Sequence, residues 1–348
     1  MSQPANRPVQ RAPDAAGASR GRLLRLVDRF AGQRVLILGD VMLDRYWWGT
    51  ASRIAPEAPV PVVNRVECTM APGGAGNVAA NVAAMGGRPS LIAIAGADQA
   101  GRDLERSLET CGVDERTLVV SRARETTVKT RLFANHRQVA RLDAEDTSPL
   151  TARQEQEIIK RTLQGLPQAK VLLLSDYSKG VLSPRVLRTV IGAAREREVP
   201  ILVDPRGRDY TRYNGATLIA PNLLEAAIAA GLDPDRARAG DEAARTLLDR
   251  LEVAAVVVTQ GPGGMTVFER GVPPVRMPTQ ARVVSDVTGA GDTVMGALAL
   301  AFASAAGLGL AGQVANLAGG LAVEQLGTAI VTAAQLRSAL KRGARGER

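Results

Sequence analysis

Four short apolar runs, each closed by a polar or glycine-containing turn, limit what this chain can fold into more than any other feature. They are residues 34–40 (RVLILGD), 170–175 (KVLLLS), 200–204 (PILVD) and 253–259 (VAAVVVT). Runs so uniformly apolar do not alternate between core and water, so they fit strands buried on both faces. Helix-like stretches such as 152–165, 183–198 and 241–252 flank them. Buried strands alternating with helices predict an α/β fold, a mainly parallel central sheet covered by helices on both faces.

Two regions break that rhythm. Residues 45–67 and 117–142 are rich in Val, Thr, Tyr, Trp and Arg, with partial alternation and little helical period. They predict a small discontinuous β lid, split by a helix–strand–helix passage over 75–112. Residues 1–22 read as a disordered basic tail and 343–348 as a second tail, leaving 23–342 as the folded domain.

The net charge of +9 resembles a nucleic-acid signal until it is located. Residues 1–34 carry seven arginines against Asp14 and Asp28, and residues 337–348 carry five basic residues against Glu347. These ends account for the whole excess, so 35–336 is neutral overall, and no basic binding face is expected in the body. The 3% aromatic content also argues against base stacking. Cys68 and Cys111 cannot frame a disulfide scaffold, and a reducing cytoplasm is the expected compartment. A single histidine, His136, argues against a His-based zinc site or a Ser-His-Asp triad, and its place in the lid suggests a structural role. The N-terminus lacks an apolar core of the secretory type. Residues 293–323 are free of charge and long enough to imitate a membrane span. Their Ala and Gly content, with Ser304, Gln313 and Asn316, predicts instead two buried helices broken near Gly307–Gly312, and no membrane partner.

The strongest chemical motif is Asp286-Val-Thr-Gly-Ala-Gly-Asp292, leading into a long apolar helix. Glycines at a helix start let bare amides converge where the helix end is electropositive, which suits a phosphate or a transferring phosphoryl group. A carboxylate in that first turn is either a helix-start acid or a general base. The Gly-Ala-Gly before Asp292 favours the base. Thr259-Gln-Gly-Pro-Gly-Gly264 follows a buried strand, where ligands of parallel sheets bind, though it also fits a plain turn. Gly73-Gly74-Ala-Gly76-Asn77 contains G-x-G-x-x-A, but no buried strand immediately precedes it, so a dinucleotide site is not supported. Asn222-Leu223-Leu224-Glu225 can hold waters around a divalent cation, or form a capping box. Asp40 and Asp44 at the end of the first run suit sugar hydroxyls, or a polar turn.

Together these motifs resemble the ribokinase (PfkB) family of carbohydrate kinases over about residues 34–335. The D-x-T-G-A-G-D run is specific to that family. Gly39-Asp-Val-Met-Leu-Asp-Arg-Tyr-Trp-Trp-Gly, Ser52-Arg-Ile-Ala-Pro-Glu-Ala-Pro-Val-Pro-Val, Asp176-Tyr-Ser-Lys-Gly180 and Val203-Asp-Pro-Arg-Gly207 look like the heptose 7-phosphate kinases of ADP-heptose and lipopolysaccharide core synthesis. The resemblance implies a ribokinase-like fold and the transfer of a phosphoryl group from ATP·Mg²⁺ to the anomeric hydroxyl of D-glycero-β-D-manno-heptose 7-phosphate, and leaves a monovalent cation open. It implies Asp292 as catalytic base and Gly289, Ala290 and Gly291 as anion hole. Asn222, Leu223, Leu224, Glu225, Thr259, Gly261, Gly264 and Asn316 fall in its ATP-binding elements, with Asn222 and Glu225 reaching the metal through water. Asp44, Asp40, Gly73, Gly74 and Asn77 fall on the sugar side. Many relatives have one more residue between Gly-Gly and Asn, a departure at Asn77. A 7-phosphate requires cations, for which Lys129, Arg131, Lys179 and Arg206 are the candidates.

Some heptose kinases carry a fused nucleotidyltransferase with an H-x-G-H motif, and with one histidine only the kinase activity is expected here. Exposed lid edges suggest a homodimer formed by lid pairing. The other readings are a kinase for another sugar, sugar phosphate or nucleoside, an NAD-dependent oxidoreductase resting on Gly74-x-Gly76, and a non-catalytic sugar-binding regulator.

Overall fold

The structure, a computed structural model, describes residues 20–342 except 136, 237 and 282. The expected tails at 1–19 and 343–348, and His136, lie outside the described residues. In chain order the strands are β1 (Arg34–Gly39), β2 (Val41–Ile54), β3 (Pro61–Gly74), β4 (Arg88–Gly96), β5 (Glu115–Ser121), β6 (Val128–Ala134), β7 (Arg137–Ala144), β8 (Val171–Ser175), β9 (Ile201–Asp204), β10 (Leu218–Ile219), β11 (Ala255–Thr259), β12 (Met265–Glu269) and β13 (Val275–Met277). The helices are α1 (Arg20–Asp28), α2 (Ala75–Ala84), α3 (Gln99–Thr110), α4 (Ala152–Gly165), α5 (Pro184–Glu196), α6 (Leu223–Ala230), α7 (Ala239–Arg250), α8 (Ala290–Ala303), α9 (Leu308–Ala322) and α10 (Ala333–Arg342).

Nine strands form one sheet in the order β13-β12-β11-β10-β9-β8-β1-β4-β5. It is parallel from β11 to β5, with β12 and β13 added antiparallel at one edge. The four apolar runs are β1, β8, β9 and β11. Their period-two geometry sends alternate residues to opposite faces. Val35, Ile37, Val171 and Leu173 pack in the layer that holds α2, α8 and α9. Leu36, Leu38, Leu172 and Leu174 pack in the layer that holds α4, α5 and α7. Burial on both faces explains why these strands carry no polar alternation.

The charge-free stretch is α8 and α9, both packed in the first of these layers. The break falls at Ser304–Gly307, earlier than the glycine-rich span suggested. Gly307 caps α9, whereas Gly312 lies inside it, where a Cβ would stand 2.8 Å from Met277 Cε. That glycine serves close helix–strand packing and does not end a helix. Among the described residues no helix is long and apolar enough to cross a membrane.

The second sheet, in the order β3-β2-β6-β7, stands where the lid is expected and is called the lid. It is wider than 45–67, since β2 begins at Val41 and β3 runs to Gly74. Residues 115–121 are not part of it. They pair in parallel with β4 as the edge strand β5 of the large sheet, and that edge position produces the half-exposed pattern that imitates a lid strand. At the other end, residues 20–22 open α1 and do not belong to a tail.

Candidate active site

The carboxyl ends of β1, β8 and β9 converge with the N-terminus of α8. β1 ends at Gly39, a position that needs glycine because a Cβ there would sit 2.2 Å from the Ser175 carbonyl. The chain then places Asp40, almost wholly buried, against the loop that follows β8. Its Oδ2 accepts from the amides of Tyr177 (2.9 Å) and Lys179 (3.0 Å), and its Oδ1 from that of Val181 (3.0 Å). Asp40 therefore staples this loop. It does not reach for sugar hydroxyls as expected, since both oxygens are engaged by backbone. The staple brings the Tyr177 hydroxyl to 2.7 Å from Asp292 Oδ1.

α8 starts at Gly289, which has φ 75°, a left-handed conformation that favours glycine. A Cβ at Gly289 would also lie 2.6 Å from Asn77 Nδ2. Asn77 Nδ2 donates to Asp292 Oδ2 at 2.8 Å. Asn81 Nδ2 donates to Asn77 Oδ1 at 3.1 Å, so the amide of Asn77 turns its NH₂ toward Asp292. Asn81 is fixed in turn by Thr293 Oγ1 and the Val331 amide, which both donate to its Oδ1. Asn77 is thus fully buried beneath the cleft and holds Asp292, where the expectation was a contact with the sugar. Asp292 is 3% exposed, and burial pushes its carboxyl up to about 7 against the opposing hydrogen bonds of Tyr177 and Asn77. Among the described residues the amides of Gly289 and Gly291 have no acceptor, whereas that of Ala290 donates to the Val287 carbonyl at 3.3 Å. Asp286 braces the turn by accepting from the Thr288 and Gly327 amides.

The lid supplies a second buried acid. Asp44 Oδ1 meets Arg131 Nη1 at 2.5 Å, and Thr328 Oγ1 donates to its Oδ2 at 3.2 Å. Gly73 makes room, since a Cβ there would stand 2.5 Å from Asp44 Oδ2. Tyr46, Trp48 and Phe133 stack beyond this pair, the last two with ring centroids 4.4 Å apart. On β6 alternation puts Lys129 on the same face as Arg131. Lys129 Nζ lies 3.0 Å from Glu145, and Lys179 Nζ meets the other oxygen of Glu145 at 2.5 Å. Those two ammonium groups, Lys179 first, hold Glu145 below the usual carboxylate range.

A cleft between α6 and α8 is lined by Tyr177, Asp204, Arg206, Asn222, Glu225, Thr259 and Gly291. Asn222 and Glu225 form a reciprocal capping box at the start of α6, and Glu225 also pairs with Arg206. Arg206 therefore stands on the Asn-x-x-Glu side, not with Asp44 and Arg131, because the turn after β9 points it at α6. Leu224 is exposed on α6. Gly264 packs where a Cβ would meet the Met277 carbonyl at 2.1 Å, Gly261 faces open space, and Asn316 Nδ2 donates to the Pro278 carbonyl at 2.8 Å.

Two groups in the cleft escaped the assignment of roles from sequence. Tyr177 and Asp204 each lie at the carboxyl end of a buried strand, the position where ligands of parallel sheets bind, and that was the available signal. Among the described residues no side chain hydrogen-bonds the Asp204 carboxylate. Burial pushes its pKa well up, with the charges of Asp292 and Glu225 adding to the effect.

A dry carboxylate at a glycine-opened helix N-terminus, with a lid opposite, can take a proton from an alcohol while amides steady an incoming phosphoryl group. Fold and site thus define a small-molecule kinase. Residues 33–334 match the pfkB family carbohydrate kinase, and the chain belongs to that family. It is 46% identical over 93% of its length to the bifunctional protein HldE of Caulobacter vibrioides, and 41% identical over 88% to that of Geobacter sulfurreducens. These alignments span 67% and 62% of those relatives, so the chain covers about two thirds of their length. The fold is ribokinase-like. Phosphofructokinase-2 from Escherichia coli, in a complex with potassium, superposes with a TM-score of 0.75 at 20% identity, covering 90% of this chain and all of that one. Arabidopsis thaliana ribokinase complexed with ribose and ATP superposes with a TM-score of 0.69 at 19% identity, covering 89% and 99%.

Proposed function

We propose that this carbohydrate kinase transfers the γ-phosphoryl group of ATP to the anomeric hydroxyl of D-glycero-β-D-manno-heptose 7-phosphate, giving the 1,7-bisphosphate. The observation that carries the reading is the buried Asp292, held by Asn77 and Tyr177 and close enough to the lid's Asp44 for that charge to raise its pKa further. Asp292 takes the proton of the attacking hydroxyl as the O–P bond forms. The amides of Gly289 and Gly291 face the charge on the phosphoryl group in transfer. Asp44, fixed by Arg131 and Thr328, accepts hydrogen bonds from sugar hydroxyls. Lys129 and Lys179 offer two cations at the hinge of the lid, where Glu145 bridges them and Asp143 lies 3.5 Å from Lys129, and a sugar phosphate would compete with those carboxylates. Closure of the lid over these residues keeps water from the phosphoryl group.

The cleft lined by Thr259, Asn222 and Gly291 takes the nucleotide. Mg²⁺ fits there, because Asp204 presents a carboxylate with no hydrogen-bond partner among the described residues and Glu225 stands near it. When bound, Mg²⁺ supplies charge neutralisation to the polyphosphate. Arg206 adds a positive charge at the same mouth.

The lid also supports a dimer. β3 and β7 leave both its edges open, with Val66, Val139 and Leu142 exposed along them. Light scattering at micromolar concentration is expected to give twice the chain mass.

The test of the activity is ADP release from Mg·ATP with a panel of sugars and sugar phosphates, with Asp292→Asn alongside. Turnover confined to heptose 7-phosphate and lost in the variant is the expected result. Turnover with a different sugar that still needs Asp292 would retain the mechanism and overturn the substrate.

A further inference from the structure

We infer that Tyr177 is the positioning residue of the general base: its hydroxyl donates to Asp292 and holds that carboxylate aimed and available for a proton. The inference rests on the reading of Asp292 as the base, and nothing in the family match assigns Tyr177 a part.

The loop that carries Tyr177 is built at visible cost. Asp40 is buried, has no ion-pair partner among the described residues, and commits both oxygens to three amides of this one loop, those of Tyr177, Lys179 and Val181. Asp176 accepts from the Ser178 amide at 2.7 Å, and its other oxygen accepts from the Tyr213 hydroxyl at 2.6 Å. Ser178 has φ 55° and Gly180 φ 95°, so a serine is held in the left-handed region. The Tyr177 ring passes Gly74, where a Cβ would come within 3.4 Å of its Cδ2. All of this fixes one hydroxyl at 2.7 Å from Asp292 Oδ1.

The chemistry is directional. Burial and the neighbouring charge of Asp292 push the Tyr177 phenol far above its ordinary value, so it stays protonated and acts as a donor. With the Asn77 amide on the other oxygen, it offsets part of the burial that favours protonated Asp292. Asn77 alone would leave the carboxyl protonated to higher pH.

The test is a ¹³C NMR titration of the Asp292 carboxyl in the full chain without substrate, assigned by comparison with Asp292→Asn. In Tyr177→Phe the ring still fills its slot, and the midpoint is expected to rise by about one to two pH units, the effect of losing a hydrogen bond to a charged group. The acid limb of kcat/KM should move with it, with activity at pH 7 falling roughly tenfold or more and recovering toward pH 9. A second variant, 3-fluorotyrosine placed at 177, makes the phenol a stronger donor and should lower the midpoint. A structural role alone would depress turnover equally at every pH. Unchanged midpoints in both variants would overturn the inference. Because the titration needs no sugar, it reads out even if heptose 7-phosphate proves not to be the substrate.

Discussion

Asn77 and Asp292 lie 215 positions apart in the chain, yet the Asn77 Nδ2 sits 2.8 Å from Asp292 Oδ2 with no water-accessible surface on the asparagine. The pair makes Asn77→Asp a sharp test. The substitution keeps the shape and keeps an acceptor for Asn81, but it replaces the donor facing Asp292 with a second carboxyl. Two buried acids in contact share a proton, and one of them stays protonated well above neutrality. The kcat at pH 7 is expected to fall about 10²-fold, with the acid limb of the pH profile moved up and partial recovery at high pH. A steady-state pH series from 5.5 to 9.5 checks it. A flat loss at every pH would show that Asn77 only fills space.

Asp292 also links stability to pH. Its folded pKa of about 7 is raised above the ordinary 3.8, so the folded chain binds the proton more tightly than the unfolded one. This contribution is fully present below pH 4 and is lost as pH rises through 7. The loss, nearly complete by pH 8, amounts to no more than about 4 kcal/mol. In Asp292→Asn the charge never forms. The difference in Tm between variant and wild type should therefore grow in favour of the variant from pH 4.5 to pH 8. Scanning calorimetry at several pH values measures it, and a constant difference would contradict a buried, titrating Asp292.

The two glycines of the helix start should respond in opposite ways. Gly289→Ala forces a left-handed φ on alanine and drives its Cβ into Asn77 Nδ2, so both stability and the base are damaged. A loss of about 1–3 kcal/mol is expected. Gly291 lies in the first turn of α8, and a Cβ there would meet nothing within 4 Å. Gly291→Ala should leave Tm unchanged or raise it by up to about 1 kcal/mol in free energy. Its cost should appear in turnover, because the methyl group enters the space beside the amide that faces the phosphoryl group. Thermal melts of both variants beside their kcat values separate the two effects.

The large sheet was legible because its strands have only one way to be hydrophobic: β1, β8, β9 and β11 are apolar on both faces, and a doubly covered parallel sheet follows. The helix start that carries Asp292 was legible because its glycine context is local. The lid boundary was not, because β5 is an edge strand whose half-exposed residues resemble those of a lid strand. Asp40 and Asn77 were misread for a related reason. Each is a polar residue close to glycines, which suggests exposure to ligand, but their partners are the 177–181 amides and Asp292, all far away in sequence. Arg206 was misplaced because the strand that leads to it, β9, lies on the α6 side of the cleft, which only the sheet order reveals.

That sheet order separates the cations into two groups with different kinetic consequences. Lys179 shares Glu145 with Lys129 at the lid hinge, and Arg206 shares a cleft with Asn222 and Glu225. If the first group receives the phosphate of the sugar, Lys179→Met should raise KM for heptose 7-phosphate by about 10- to 100-fold, the size of one lost charged hydrogen bond, and leave KM for ATP within about twofold. Arg206→Met should do the reverse. Glu145→Gln removes the carboxylate that competes for both lysines, so the sugar phosphate should bind several-fold more tightly. Initial rates over a grid of both substrates give the two KM values for each variant. Equal effects on both substrates in Lys179→Met would place the sugar's phosphate elsewhere, and Arg124, which donates to the carbonyls of Asp146 and Ser148 close to Gly180, would then be the next cation to vary.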